Sequence, residues 1–168
     1  MNNKFKGIFM NLEKTIKCAY EESLNNTRFG DKIEEIYAIQ SILKSAKNVT
    51  VATSNEKKFK VVSDIISRIT DANISMLELP TNSADLTRMP ALNKGLIAVD
   101  SSDADLIITR GRLGIPGSGS LLLIMDRKGR ILTGSVSPSS IIHKNPIEKT
   151  VELELITALE RIGIVVKK

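Results

Sequence analysis

The chain has 168 residues, which suits one well-packed domain and is short for two. Its 42% hydrophobic and 26% charged residues are ordinary for a globular protein, and no apolar stretch approaches the roughly 20 residues of a membrane helix. The net charge of +5 predicts an anionic partner, but the absence of Trp and the few Phe and Tyr argue against nucleic acid, which stacks on exposed aromatic rings.

The single cysteine and the N-terminal segment indicate the cellular compartment in which we expect the protein. Cys18 cannot form an intramolecular disulfide, and polar residues interrupt the basic N-terminal segment before any apolar core develops. We therefore expect no signal peptide and no membrane association. A reducing cytoplasm is the expected location.

The order of predicted elements indicates the fold class. Residues 1–47 are expected to be helical, and residues 48–168 to alternate between strands and helices and to end in a helix. This alternation predicts one α/β domain over residues 1–168, with a mixed central sheet flanked by helices. Residues 164–166 are expected to add an edge strand.

The stretch 48–64 predicts a strand, a polar turn and a helix. The turn contains Thr53, Ser54 and Asn55, and Lys57 and Lys58 follow it directly. Backbone N–H groups at the start of a helix, with nearby positive charge, are typical of a phosphate site. An ordinary helix cap followed by a solvated lysine face explains the same pattern.

A second polar stretch follows the strand-like residues 106–109. Arg110 and Arg112 are expected to lie in a loop that is rich in glycine, and Gly117, Ser118, Gly119 and Ser120 complete it. Glycine allows close approach to a ligand, and Arg binds phosphate through two parallel hydrogen bonds. The glycine spacing matches neither a Walker loop nor the dinucleotide fingerprint.

The next residues predict a hairpin, a serine-rich loop and a final helix. Strands at 120–126 and 130–136 are joined by a tight turn, and a helix is expected to begin at Pro146 with Asn145 as its cap. Between them lie the polar residues Ser135, Ser137, Ser139, Ser140 and His143.

The three polar loops (53–58, 110–120 and 135–143) each follow a predicted strand, and ligand sites of α/β sheets gather outside strand ends. We therefore expect one pocket that suits a nucleoside triphosphate with Mg²⁺. Asp100 and Asp103 are candidate metal ligands at its edge, although they are equally typical of helix ends and turns. With one histidine and one cysteine, a His/Cys metal site is not expected.

The turn resembles a known signature. The residues Ala52-Thr53-Ser54-Asn55-x-x-Lys58 are similar to the A-T-G-N-x-x-K motif of inosine-triphosphate pyrophosphatases (Ham1-like), in which the turn and the Lys hold the triphosphate. That family continues with a Glu where this chain has Val61, and its later aspartates are only partly matched around Asp100. The departure leaves triphosphate binding in place and argues against simple hydrolysis.

A closer resemblance covers nearly the whole chain. The run from Ile108 to His143, ITRGRLGIPGSGSLLLIMDRKGRILTGSVSPSSIIH, resembles the HcgB guanylyltransferases of iron-guanylylpyridinol (FeGP) cofactor biosynthesis in methanogens. The resemblance implies a pyrophosphatase-like fold and transfer of GMP from GTP to a pyridinol hydroxyl with release of pyrophosphate, towards the [Fe]-hydrogenase cofactor. It also implies a homodimer, with the N-terminal helices as a contact surface, and other cofactor-biosynthesis enzymes as possible partners.

The resemblance also suggests roles for residues. Lys58, Arg110 and Arg112 are the expected catalytic residues, and the turn with Lys57 is expected to bind the phosphates. The expected lining of the nucleoside and pyridinol sites is Gly117, Ser118, Gly119, Ser120, Ser135, Ser137, Ser139, Ser140 and His143. Two alternatives remain: a Ham1-like pyrophosphatase of non-standard nucleotides, and a non-catalytic nucleotide- or RNA-binding module.

Overall fold

A computed structural model of the protein describes residues 11–79 and 88–168. Its helices are α1 (Leu12–Leu24), α2 (Ile33–Ser45), α3 (Glu56–Ile66), α4 (Pro90–Ser101), α5 (Ser140–His143) and α6 (Ile147–Glu160). Its strands are β1 (Asn48–Ala52), β2 (Asn73–Leu77), β3 (Leu106–Arg112), β4 (Ser120–Asp126) and β5 (Ile131–Ser137). The chain divides into two compact units, Met1–Ile42 and Leu43–Lys168. Within the described ranges, no helix combines the length and apolar character needed to cross a membrane.

A cluster of charged side chains links the helices of the first unit. Arg28 forms a bidentate pair with Glu35, with both N–O distances at 2.8 Å, and also lies 3.1 Å from Asp31. Glu22 pairs with Lys32 and lies 3.4 Å from Arg28. The hydrogen bond from Arg28 lowers the pKa of Glu35. Because Glu22 belongs to α1 and Glu35 to α2, this cluster fixes the connection between the two helices.

The second unit is built on a five-stranded sheet with the strand order β2-β1-β3-β4-β5. β1 pairs in parallel with β2 and β3, whereas β4 runs antiparallel to both of its neighbours, β3 and β5. Helix α3 supplies the crossover between the parallel strands β1 and β2, which a short turn cannot join. The structure confirms the expected α/β class with a mixed sheet flanked by helices.

Helix α4 packs closely on one face of the sheet because its contact residues are small. A Cβ added to Gly95 would lie 2.6 Å from the sulfur of Met125, so α4 lies too close to the sheet for a larger residue at this position. The hydroxyl of Thr109 donates to the carbonyl of Ala91 at 3.2 Å and fixes the helix along β3. Side chains of alternate strand residues point to opposite faces, so Arg110 and Arg112 project from the other face.

Helices α3 and α6 pack against each other, and α6 also covers β4 and β5. Two buried hydroxyls on β5 anchor α6: Thr133 donates to the carbonyl of Ala158 at 2.6 Å, and Ser135 donates to the carbonyl of Glu154 at 2.6 Å. Apolar residues fill the remaining space between this helix and the sheet. Those that are at most 1% exposed include Ile108, Leu122, Ile124, Val151, Leu155 and Leu159.

Three sequence predictions of local structure were wrong. β3 does not end at Thr109 but continues to Arg112, because Arg110 and Arg112 pair with β4 opposite Leu122 and Ser120. Helix α6 begins at Ile147, with Pro146 at the cap position and no side-chain cap. Residues 164–166 form no strand.

Asp105 lies at the end of the sheet where β1 and β3 begin. Its carboxylate accepts the backbone N–H groups of Lys47 at 2.8 Å and Asn48 at 3.0 Å, and Arg127 donates to it at 2.6 Å. The bond from Lys47 is the largest influence on the Asp105 carboxyl, and together these donors hold its pKa below the usual value. One side chain thus ties together the start of β1, the start of β3 and the β4–β5 hairpin.

Candidate functional site

The three polar loops identified in the sequence lie at one edge of the sheet. The parallel strands β1 and β3 both end there, and the antiparallel pairing places the start of β4 and the end of β5 at the same edge. Helices α3 and α6 both begin at this edge, since α3 follows β1 and α6 follows β5. The edge therefore gathers two helix starts and the β3–β4 loop.

A cleft of about 430 Å³ opens at this edge, within the size range of small-molecule sites. The β3–β4 hairpin and the segment from the end of β5 to the first turn of α6 form its walls. Its lining residues are Arg110, Arg112, Gly117, Gly119, Ser120, Pro138, Ser139, Ser140, His143, Asn145, Ile147 and Thr150. Two of the three predicted loops therefore meet in one cleft, which is lined by two arginines, hydroxyls and a histidine.

Arg110 is held from behind by a buried carboxylate. Its Nε lies 2.6 Å from Oε2 of Glu154, and its Nη2 lies 3.2 Å from Oε1 of the same residue and 2.9 Å from Oγ of Ser120. The Ser120 hydroxyl in turn donates to Oε1 of Glu154 at 2.5 Å. Because β3 continues through these residues, Arg110 projects from a regular strand and not from a loop.

Arg112 lies two residues further along β3, so its side chain projects from the same face as that of Arg110. Its Nε donates to the carbonyl of Gly114 at 3.1 Å, and the Gly114 N–H donates to the hydroxyl of Ser118 at 3.0 Å. These bonds shape the β3–β4 loop around the guanidinium. Ser118, predicted to line the ligand site, serves this loop and is absent from the cleft lining among the described residues.

The turn between β1 and α3 is organised by its own side chains. The hydroxyl of Thr53 accepts the N–H of Asn55 at 3.1 Å, and the amide oxygen of Asn55 accepts the N–H of Lys58 at 3.1 Å. Asn55 is thus the cap of α3, and Ser54 beside it is exposed. Lys57 reaches across to Glu148 in the first turn of α6, with an N–O distance of 3.7 Å.

The turn adjoins Arg110 through a second, much smaller cavity of about 20 Å³. Thr53 and Lys58 line it on one side, and Arg110 and Val151 line it on the other. Arg110 is therefore shared between the main cleft and the β1–α3 turn. Lys58 and Arg110 thus line the same small cavity, and Arg110 also lines the cleft.

The predicted serines and the histidine divide into two groups. Ser135 is buried and bonds to α6, and Ser137 stands at the end of β5 opposite Ser120. Neither is among the described residues that line the cleft. Ser139, Ser140 and His143 do line it. Nδ1 of His143 accepts the N–H of Asn145 at 2.9 Å. In a neutral ring this bond places the proton on Nε2, so that nitrogen is a donor.

Asp100 and Asp103 lie away from the cleft. They are exposed, at the end of α4 and just before β3, whereas the cleft is at the other end of this seven-residue strand, roughly 20 Å away. The structure therefore does not bring the two aspartates to the arginines. Among the described residues, no group of three or more His, Cys, Asp or Glu side chains is placed to hold a metal ion.

Sequence reasoning missed Glu154. This residue is 2% exposed and lies in the buried stripe of α6, between Val151 and Leu155. The available signal was a charged residue at a position where the helical period of α6 predicts an apolar one. The period marks Glu154 as unusual, but it does not identify Arg110, which is 44 residues earlier, as its partner.

An open α/β sheet with a cationic, glycine-lined cleft at its strand ends is typical of proteins that bind phosphorylated ligands. Comparison with protein families gives a match to "FeGP cofactor biosynthesis protein HcgB, guanylyltransferase" over residues 12–164. The chain belongs to this family, which confirms the resemblance noted in its sequence. It is therefore a guanylyltransferase, a kind of nucleotidyltransferase, of FeGP cofactor biosynthesis.

Proposed function

We propose that the protein joins the GMP part of GTP to the hydroxyl of a substituted pyridinol and releases pyrophosphate, giving a precursor of the [Fe]-hydrogenase cofactor. The observation that carries the proposal is the cleft with Arg110 and Arg112 in one wall and Ser139, Ser140 and His143 in the other. One wall is suited to phosphate, and the other offers the hydrogen-bonding groups that a ring with polar substituents needs.

The proposed reaction is a single displacement at the α-phosphorus. The pyridinol oxygen forms the new P–O bond, the bond to the β-phosphate oxygen breaks, and the hydroxyl proton passes to solvent or to pyrophosphate. Such a transfer depends mainly on alignment and on neutralisation of phosphate charge. Arg110 and Arg112 would supply that charge, together with Lys58, which lines the small cavity beside Arg110, and Lys57 at the start of α3.

No strong general base is needed in this scheme, because the hydroxyl of a pyridinol is more acidic than that of an alcohol. The geometry of His143 agrees with this. Its Nδ1 is already occupied by the Asn145 N–H, so the neutral ring can offer a proton from Nε2 but cannot take one at Nδ1 without losing that bond. We assign His143 to binding of the acceptor or of phosphate.

Mg²⁺ remains part of the proposal as a companion of the nucleotide. The described residues do not fit a protein-built metal site, since Asp100 and Asp103 lie at the far end of β3 and Glu154 is engaged with Arg110. Magnesium bound to nucleotides keeps several waters and takes most other ligands from phosphate oxygens. We therefore propose the magnesium complex of GTP as the substrate and derive no step from a metal held by the protein.

The hydrolytic alternative is disfavoured by Val61. Ham1-like pyrophosphatases have a Glu at this position, and here α3 carries a half-buried valine, which has no polar group. The non-catalytic alternative predicts binding without turnover. A cytoplasmic location, a homodimer and contacts with other enzymes of the same biosynthesis are further parts of the proposal.

The proposal can be tested by calorimetric titration of the protein with GTP and Mg²⁺. We expect Lys58→Ala and Arg112→Ala each to weaken binding roughly 10- to 100-fold, because a hydrogen bond to a charged group contributes about 1.5–3 kcal/mol. Lys60→Ala is the matched control, since Lys60 is an exposed lysine of the same helix, two residues after Lys58 and therefore on a different side of α3. Unchanged binding in both variants, or an equal loss in the control, would show that the triphosphate lies elsewhere.

A further inference from the structure

Glu154 carries a buried carboxylate that the proposed reaction does not use. Its side chain is 1% exposed, whereas that of its partner Arg110 is 16% exposed and lines the cleft. Its neighbours on the same face of α6, Val151 and Leu155, are apolar and buried. A carboxylate at such a position is uncommon in proteins unless it is paired.

The contacts of Arg110 are unequal on its two edges. The Nε–Nη2 edge makes two bonds to Glu154 and one to Ser120, so that edge is fully occupied. The Nη1 nitrogen, with two N–H groups, donates no hydrogen bond to any residue that the structure describes. A planar guanidinium held along one edge has its other edge fixed in direction as well.

We infer that Glu154 is a positioning residue: it fixes the guanidinium of Arg110, with help from Ser120, so that the Nη1 edge stays available for an oxygen of the substrate's phosphate groups. This inference rests on the proposed function for its choice of ligand. Glu154 does not line the cleft and acts only through Arg110. Its role is to hold the arginine side chain in one conformation before the ligand binds, so that binding does not cost this conformational freedom.

Packing alone does not explain why Arg110 and Glu154 form a buried ion pair here. A buried ion pair loses the hydration of both charges, and apolar side chains of similar volume often replace such pairs without loss of stability. Apolar side chains such as Ile108, Leu122 and Leu155, all at most 1% exposed, pack in this interface, and the pair formed by Glu154 and Arg110 is the ion pair buried beside them. What apolar residues cannot supply is a guanidinium of fixed orientation at the wall of the cleft.

The first experiment observes Arg110 directly and does not depend on turnover. In ¹⁵N-labelled protein, we expect a slowly exchanging Nε–H signal for Arg110 that Glu154→Gln abolishes and Glu154→Asp partly retains. Addition of inorganic pyrophosphate should shift the Arg110 signals in the wild type, with an affinity at least about tenfold weaker in Glu154→Gln. Arg110 signals that are the same in Glu154→Gln as in the wild type would overturn the inference.

The second experiment uses kinetics of guanylyl transfer. Glu154→Gln should raise the KM for GTP by about tenfold or more, because it weakens two contacts of the guanidinium, and Ser120→Ala by about threefold, because it removes one. Arg110→Ala should be partly restored by millimolar guanidinium chloride, and this rescue should disappear in Arg110→Ala/Glu154→Gln. Rescue that is independent of Glu154 would contradict a positioning role.

A double variant separates positioning from stability. Arg110→Met/Glu154→Leu removes both charges together, so we expect a Tm near that of the wild type with the KM defect retained. A double variant that binds GTP as tightly as the wild type would overturn the inference. If pyrophosphate shifts the Arg110 signals in a Glu154-dependent manner but no guanylyl transfer occurs, the proposed function fails and the positioning role stands.

Discussion

Gly117 and Gly119 both have positive φ, but their surroundings differ. Gly117 has a φ of 93° and no atom within 4 Å of an added Cβ, whereas Gly119 has a φ of 89° and an added Cβ would lie 2.1 Å from the carbonyl oxygen of Ser137. Alanine at Gly117 meets backbone strain alone, about 1–2 kcal/mol. Alanine at Gly119 meets the same strain and a backbone clash, so we expect Gly119→Ala to lower the free energy of unfolding by about 3 kcal/mol or more.

Urea denaturation of the two variants measures this difference. Because Gly119 lies beside Ser120 and the end of β5, its substitution should also disturb the wall of the cleft and weaken GTP binding. Gly117→Ala serves as the matched control for positive φ. Equal losses of stability in the two variants would contradict the close contact between Gly119 and Ser137.

At the scale of single residues, the sequence indicated where polar side chains gather better than it indicated the hydrogen-bond partner of each one. Arg110, Arg112 and His143 line one cleft with Ser139 and Ser140. Their role in binding a ligand stays a prediction, which rests on residue type and strand-end position, and both of these are local information. Ser118 and Ser135 were expected there too, but each forms a hydrogen bond within the fold instead. Whether a hydroxyl faces a ligand or a backbone group depends on tertiary contacts that no local pattern records.

Among the elements, the start of the sheet depends on the ionised carboxylate of Asp105. Its pKa is lowered in the folded state, so its contribution to stability is fully present above the unfolded-state pKa of about 3.9 and is lost as pH falls through the folded-state value. Asp105→Asn should lower the free energy of unfolding by about 1 kcal/mol at neutral pH. It should also make the loss of stability below about pH 4 smaller than in the wild type. Thermal unfolding between acid and neutral pH measures both effects.

Asp103 provides the control for this prediction. It is exposed, two residues before Asp105, and makes no hydrogen bond or ion pair to the residues that the structure describes. Asp103→Asn should therefore leave neutral-pH stability within about 0.5 kcal/mol of the wild type. If Asp105→Asn showed the same acid-induced loss of stability as the wild type, the proposed tie between β1, β3 and the hairpin would be wrong.

The existence and type of most elements followed from the sequence, whereas their ends did not. β3 was expected to stop at Thr109 because a glycine-rich stretch follows it, yet pairing with β4 extends the strand to Arg112. The cap of α6 was expected at Asn145, whose N–H instead bonds to His143 after the left-handed Lys144. The end of β3 was therefore decided by pairing with a neighbouring strand, which no local pattern records.

For the molecule as a whole, the first unit is notable for its exposed apolar side chains. Ile16, Tyr20 and Leu24 recur every four residues along α1 and are 43%, 65% and 64% exposed. Phe29 and Tyr37, in the same unit, are 96% and 50% exposed. We propose that the chain forms a homodimer and that these side chains are part of its interface, since dimer interfaces are enriched in apolar and aromatic side chains.

Light scattering during gel filtration tests this directly. We expect a mass of about twice the chain mass of 18.4 kDa, and a shift towards the monomer in Leu24→Glu, which places a charge in the interface. Lys14→Glu changes an exposed residue on another side of α1 and should leave the dimer intact. A wild-type protein that is monomeric at micromolar concentration would contradict the proposal.

The sequence predicted only in outline which loops come together at the site. The rule that ligand sites lie at strand ends correctly placed the three loops at one edge of the sheet, because β1 and β3 are parallel. It could not show that the β1–α3 turn meets Arg110 through a separate small cavity, because that depends on the pairing of β1 with β3, which the sequence left open. The position of Asp100 and Asp103 before β3, with the arginines at its end, already separates them in the sequence.

The most direct test of the central claim is a product analysis. The protein is incubated with GTP, Mg²⁺ and a 4-hydroxypyridine acceptor, and the mixture is examined by mass spectrometry, with Arg112→Ala in parallel. We predict a guanylyl adduct of the acceptor and pyrophosphate in equal amounts, with much less of both from the variant. GMP and pyrophosphate without an adduct, or unchanged GTP with the authentic pyridinol present, would contradict the account.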